Sequence, residues 1–212
     1  MGTGLLLLYY ITDRKQFPGS AAEQRERLLA KVAEAARAGV DYIQLREKDL
    51  SSQELEGLAL AAVDAVRETG SKTRLLINSR TDVSLAVGAD GVHLRSRDIS
   101  PSDVRRIYRS AGLITEPVVA VSCHSDGQIE AAKAAGADFV VFGPVFGKGD
   151  APGRGIAGLS AACAHGIPVL ALGGVNAENA SSCLEAGTSG IAGIRLFQQG
   201  SAPTTISYLR TY

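Results

Sequence analysis

The sequence predicts a single (β/α)₈ barrel, one domain spanning residues 1–212. Three observations predict it. Eight short apolar runs alternate with longer amphipathic stretches from end to end. The runs are apolar on consecutive residues, as expected of parallel strands covered on both faces. A unit made of a helix end, a glycine, a turn and a strand start recurs four times, which favours a closed ring over an open doubly wound sheet. With 212 residues the loops of such a barrel must be short.

The elements follow in order. Residues 5–12 are too few to span a membrane and lack the flanks of a secretory signal, so they read as a buried first strand. A helix over 21–38 places Leu28, Leu29, Val32 and Ala36 at helical spacing and stops at Gly39. The second strand covers 42–46, and a helix over 51–68 starts at the capping residue Ser51 and ends before Gly70. Strands three to five cover 75–78, 91–94 and 118–122, and a helix over 125–135 closes at Gly136. The sixth strand, 139–143, leads into a glycine-rich loop at 147–155. The seventh, 169–173, precedes a helix over 178–186, and 191–194 is the eighth. The repeats "AGVDYIQL" (38–45), "VGADGVHL" (87–94), "AGADFVVFG" (135–143) and "AGTSGIAG" (186–193) introduce the even-numbered strands.

Lys plus Arg and Asp plus Glu both number 22, so no overall field attracts nucleic acid or an anionic membrane. An anionic ligand must then be held by a local cluster of donors. Cys123, Cys163 and Cys183 are far apart and odd in number, which suits reduced thiols in a cytoplasmic protein.

Function in such a barrel belongs at the carboxyl ends of the strands. The second strand ends in Gln44, Arg46 and Lys48; alternation puts all three on one side, facing the mouth, where two cations and an amide suit a phosphate, diphosphate or carboxylate. A solvated strand end, with the cations paired to Glu47 and Asp49, is the competing reading. Asn78-Ser79-Arg80 ends the third strand, and His93, Arg95, Arg97 and Asp98 follow the fourth. Asp98 is either a magnesium ligand or a helix N-terminal acid, and alone it makes a poor magnesium site. His93 is as much a packed histidine as a catalytic one. Ser122 and His124 share a face after the fifth strand, while Cys123 points to the core. Lys148 and Arg154 lie in the loop after the sixth, a candidate lid over an anion whose composition equally suits a plain surface connection. Gly173 and Gly174, with Gly193 and Arg195, stand where barrels often bind phosphate through backbone N–H groups.

The blocks "YYITDR" (9–14), "IQLREKDLS" (43–51), "LLINSRTDVSLAVGADGVHL" (75–94), "VSCHS" (121–125), "GADFVVFGPVF" (136–146) and "PVLALGGVNAENA" (168–180) resemble, in order and over nearly the whole chain, the thiamin phosphate synthase/TenI family. The resemblance implies a barrel that binds a thiazole phosphate at its carboxyl-end face. In the synthase, a pyrimidine diphosphate loses pyrophosphate with magnesium's help and the thiazole nitrogen captures the cation. By similarity Gln44, Arg46 and Lys48 would hold the diphosphate, Asn78 and Asp98 would belong to the pyrimidine and metal region, Ser122 would sit near the substrates, and Gly174 with the turn after strand eight would take the thiazole phosphate.

Three departures bear on which activity is present. Ser79 stands where the synthase carries a magnesium-binding Asp, Arg95 and Arg97 replace a small residue and an amide, and "GKGDAPGRG" replaces a threonine- and lysine-rich diphosphate loop. These losses fall on the metal and diphosphate half. The expectation is therefore a TenI-like thiazole tautomerase needing no cofactor, with His124 as acid/base. The alternatives are a magnesium-using thiamin phosphate synthase and a non-catalytic binder of thiazole or thiamin phosphate. The expected partner is a small phosphorylated substrate, not nucleic acid or membrane; homo-oligomerisation stays open.

Overall fold

The structure is a computed structural model in which residues 6–113, 115–147 and 152–211 are described. Its elements alternate: β1 (Leu7–Ile11), a 3-10 turn (Arg14–Gln16), α1 (Ala21–Arg37), β2 (Tyr42–Leu45), α2 (Ser52–Arg67), β3 (Arg74–Asn78), α3 (Thr81–Val87), β4 (Gly91–Leu94) and α4 (Pro101–Ser110). Then come β5 (Val118–Cys123), α5 (Asp126–Ala134), β6 (Phe139–Phe142), α6 (Gly155–Cys163), β7 (Val169–Ala171), α7 (Ala180–Glu185), β8 (Gly190–Gly193), α8 (Arg195–Gln198) and α9 (Ala202–Leu209). The strands pair in chain order and all in parallel, and β8 closes on β1 with Leu8 opposite Ile191. That closure rules out the open sheet. No helix among the described residues is long and apolar enough to cross a membrane.

Each strand is apolar on consecutive residues because both of its faces are covered. The outward set, such as Leu8, Tyr10, Ile43, Leu75 and Val119, packs against the helices. The inward set, Tyr9, Ile11, Leu76, Val118, Ala120, Phe139, Val141, Leu170 and Ala192, fills the barrel. Three aromatic rings pack its interior: Tyr9 meets Phe139 edge-on at 5.6 Å between centroids and Tyr42 at 5.9 Å, and Tyr42 meets Phe139 at 4.9 Å. Such pairs contribute roughly 0.5–1.5 kcal/mol each beyond the area they bury.

The two long helices start as their sequences dictate. Ser20 with Glu23, and Ser51 with Glu54, close reciprocal capping boxes at the starts of α1 and α2. Several boundaries differ from expectation. β2 ends at Leu45 and β7 at Ala171, each shorter than its apolar run. Leu5, at the start of the expected first strand, lies outside the described residues.

Candidate active site at the carboxyl-end mouth

The inward phase of each strand decides what reaches the mouth. Above the aromatic layer, the inward positions are Gln44 on β2, Asn78 on β3, His93 on β4 and Ser122 on β5. On β7, β8 and β1 the matching places are held by apolar side chains, Leu170 and Leu172, Ala192 and Ile194, and Ile11. One side of the mouth is therefore polar and the other apolar, with glycines in the loops above it.

A buried belt of hydrogen bonds floors the polar side. Gln44 Nε2 donates to the Tyr9 hydroxyl at 3.1 Å, that hydroxyl lies 3.0 Å from His93 Nδ1, and His93 Nε2 lies 2.7 Å from Ser122 Oγ. One arrangement lets every group take part. Tyr9 accepts from Gln44 and donates to Nδ1, so the imidazole carries its proton on Nε2 and donates to Ser122. The Ser122 hydroxyl proton is then left to point toward the mouth. Burial pushes the His93 pKa down to about 3, with Arg46 adding to the effect, so the ring stays neutral. His93 is thus a packed, hydrogen-bonded histidine.

This belt corrects one expectation. Gln44 is only 1% exposed and has given its amide to Tyr9, so it lies beneath the mouth rather than in it. Ser122 shares its hydrogen bond with His93 and not with His124. Tyr9 and His93 were missed as a pair because 84 residues separate them, although their inward phase on β1 and β4 was readable.

Above the belt sits Arg46. The competing reading, in which it pairs with Glu47 or Asp49, fails. Arg14 takes those acids instead, donating to Glu47 at 3.0 Å and to both Asp49 oxygens at 2.7 and 2.8 Å, and Lys15 reaches Asp49 at 3.1 Å. Glu47 also receives the Thr12 hydroxyl at 2.7 Å. Among the described residues no carboxylate forms an ion pair with Arg46. Lys48 lies past the end of β2 in an exposed turn, so strand alternation does not place it beside Arg46.

At the end of β3, Ser79 takes a left-handed backbone (φ 59°) and donates its N–H to the His93 carbonyl at 2.8 Å. Its Oγ is buried without a properly formed hydrogen bond, though it lies close enough to Asp98 to favour that carboxylate. Asp98 is held by Arg95: the Arg95 backbone N–H reaches Oδ2 at 2.8 Å, while Nε and Nη2 reach Oδ1 at 3.1 and 2.9 Å. Burial works to raise the Asp98 pKa, but Arg95 and Ser79 outweigh it and hold the carboxyl below its usual range. Asp98 also stands ahead of the Ser100 cap of α4, so it is not a first-turn helix acid.

Those contacts test the magnesium ion that the resemblance implies. The ion needs one or two free carboxylates and substrate oxygens. Here one carboxylate is present, both of its oxygens already accept from Arg95, and its neighbour is a serine hydroxyl. Among the described residues no three His, Cys, Asp or Glu groups converge. The residues present do not fit the ion.

His124 follows β5, and its Nδ1 lies 2.5 Å from the Gly143 carbonyl. A carbonyl only accepts, so Nδ1 carries a proton and donates. After β6, Arg154 and Gly155 fold back to bond the carbonyls of Pro144 and Val145 at 2.8 and 2.9 Å, anchoring the end of the glycine-rich loop. Arg154 is exposed. Lys148 lies outside the described residues, as do residues 149–151 of the expected lid.

Gly173 and Gly174 have positive φ, 97° and 70°, and press on that same loop. A Cβ on Gly173 would stand 2.6 Å from Pro144, and one on Gly174 would stand 2.7 Å from Phe146 Cβ. The β6 and β7 loops meet there in close contact; Gly193 ends β8, and the exposed Arg195 opens α8.

Comparison with known proteins agrees with this architecture. The profile of the family described as "Thiamine monophosphate synthase" matches residues 8–197. A protein of Geobacter sulfurreducens named "Putative thiamine-phosphate synthase" is 42% identical over 193 residues, 87% of this chain and 83% of its own length. A "Thiamine-phosphate synthase" of Roseiflexus is 38% identical over 88% of this chain and 75% of its own. The solved thiamine phosphate pyrophosphorylase from Pyrococcus furiosus superposes with a TM-score of 0.80 at 30% identity, covering 98% of this chain and 95% of that one.

Proposed function

The chain belongs to the thiamine monophosphate synthase family, and from that premise we propose that it joins a pyrimidine diphosphate to a thiazole phosphate, releasing pyrophosphate. The names of its relatives favour this transfer over the tautomerase expected from the sequence. The observation in the molecule that carries it is Arg46, a cation without a carboxylate partner, standing over a neutral buried belt. In the reaction the carbon–oxygen bond to the diphosphate breaks and its electron pair leaves with pyrophosphate. The thiazole nitrogen then gives its lone pair to the carbon. Arg46, Lys48 and Arg154 would meet the diphosphate. Asn78 and the outward-pointing Ser122 hydroxyl would face the pyrimidine. The backbone of Gly173, Gly174 and Gly193, with Arg195, would take the thiazole phosphate. The purified chain is to be supplied with both substrates, in magnesium and separately in EDTA, and thiamin phosphate quantified. Product in either arm supports the reading; none in both sinks it.

One observation favours a second reading, the tautomerase. His124 turns Nδ1 to the Gly143 carbonyl and leaves Nε2 for a bound thiazole, and a proton transfer through Nε2 needs no metal. Turnover of a carboxythiazole phosphate that His124→Gln abolishes would establish it. Tight binding of thiazole phosphate with neither reaction would leave the non-catalytic binder.

A further inference from the structure

The guanidinium on Asp98 stands where the metal should. Arg95 covers both carboxylate oxygens of Asp98, whose side chain is 12% exposed, while the Arg95 side chain is 67% exposed. The pair is polarised: Nε and Nη2 face the acid, and Nη1 has no acceptor among the described residues and faces solvent. Arg97 lies two residues on in the same β4–α4 loop and forms no ion pair with a described carboxylate. Within the loop that carries Asp98, then, two guanidinium groups oppose one carboxylate. This sector is cationic with no metal added, which is the reverse of a magnesium site, where acids outnumber bases until the ion arrives.

We propose that Arg95, oriented by Asp98, is the group that neutralises a diphosphate at this mouth, in place of a divalent cation. Asp98 changes role from ligand to positioning residue: it fixes the guanidinium plane so that the free edge faces the anion. Ser79 fits the same substitution, since a second carboxylate there would compete with the anion for Arg95. The inference rests on the reading that a diphosphate enters this site, but its test needs no turnover.

The test is calorimetric titration of inorganic pyrophosphate into the wild-type chain, R95A and the double variant S79D/R95A, each in EDTA and in excess magnesium. Thermal melts confirm folding, which the exposure of Arg95 makes a mild demand. The wild type is expected to bind in EDTA, with magnesium tightening binding by no more than about twofold, and R95A to bind about tenfold more weakly or worse in EDTA. In S79D/R95A two uncovered carboxylates share the sector, and pyrophosphate binding is expected to require magnesium. A wild type that binds only with magnesium, or not at all, overturns the proposal, as does R95A binding unchanged in EDTA. Metal-free binding by the double variant at wild-type strength overturns it too. If pyrophosphate binds as expected yet no thiamin phosphate forms from the two substrates, the synthase reading fails and the arginine site stands.

Discussion

Two residues at the polar side of the mouth are costly to fold, for different reasons. Ser79 adopts a left-handed backbone that suits glycine or asparagine better, and it buries a hydroxyl with no well-formed hydrogen bond. Each feature costs on the order of 1 kcal/mol or more. Ser79→Gly removes both, and its urea midpoint is expected to rise by the equivalent of about 1 kcal/mol. A lower midpoint would show that the hydroxyl makes up its cost through Asp98. His93 costs stability only in acid. Its folded pKa, about 3, lies below the unfolded value, so the unfolded chain takes up a proton first as the pH falls. That stability is complete above about pH 6.5 and is lost below it by about 1.4 kcal/mol per pH unit until the folded value is reached. His93→Asn does not titrate there. Between about pH 7 and pH 5, its unfolding free energy should therefore fall by about 2 kcal/mol less than that of the wild type. Equal slopes for the two proteins would place the titrating group elsewhere.

At the scale of elements, the long units were readable and the short ones were not. α1 and α2 declare themselves through Ser-x-x-Glu capping boxes and a terminal glycine, and the structure reproduces them within a residue. α3 has no side-chain cap and seven residues, too few for a periodic stripe. α4 was missed although Ser100-Pro101 gives it a cap and a first-position proline, a start signal that was present in the sequence. The site was partly legible for the same reason. Strand phase located Asn78 and Ser122, whereas Arg46 and Lys48 both lie beyond the end of β2, one and three residues on, and phase loses its meaning with distance from the strand. What could not be read was contact between residues far apart in the chain, such as Tyr9 with His93 or Arg14 with Asp49. The glycines of the β7 loop combine both lessons. They were read as a phosphate cradle, yet the contact with Phe146 shows that packing demands them first. Gly174→Ala must place a Cβ 2.7 Å from Phe146 Cβ at a φ of 70°, costing on the order of 1–3 kcal/mol. Stability by chemical denaturation and affinity for thiazole phosphate are expected to fall together. Loss of affinity at wild-type stability would assign Gly174 to ligand binding alone.

The whole molecule divides labour between the two ends of the barrel, and the internal repeat shows how. In three of the four repeats an aspartate precedes an even strand: Asp41, Asp90 and Asp138. Each makes the same reciprocal pair with the start of the preceding odd strand. Asp41 accepts from Leu8 N at 2.7 Å and donates its own N–H to Leu8 O at 3.1 Å. Asp90 does this with Leu75 at 2.7 and 3.0 Å, and Asp138 with Val119 at 2.6 and 2.9 Å. In the fourth repeat Ser189 N still donates to Val169 O, at 2.8 Å, and the Thr188 hydroxyl bonds the same carbonyl at 2.6 Å. The repeat therefore encodes a staple between adjacent strands, placed at the amino-terminal end, away from the mouth. A staple of this kind contributes stability and leaves the chemistry alone. Asp90 is the cleanest place to test it, because Arg210 and Arg105 form ion pairs with Asp41 and Asp138, and no described cation does so with Asp90. Asp90→Ala leaves the Leu75 N–H without its acceptor, at an expected cost of about 1–3 kcal/mol. For a chain of this size that lowers Tm by roughly 2–4 °C per kcal/mol. Ligand affinity at the mouth, measured well below Tm, should match the wild type. A drop in affinity at unchanged Tm would mean that the two ends are coupled through β3 and β4, because Asn78 and His93 stand at their far ends.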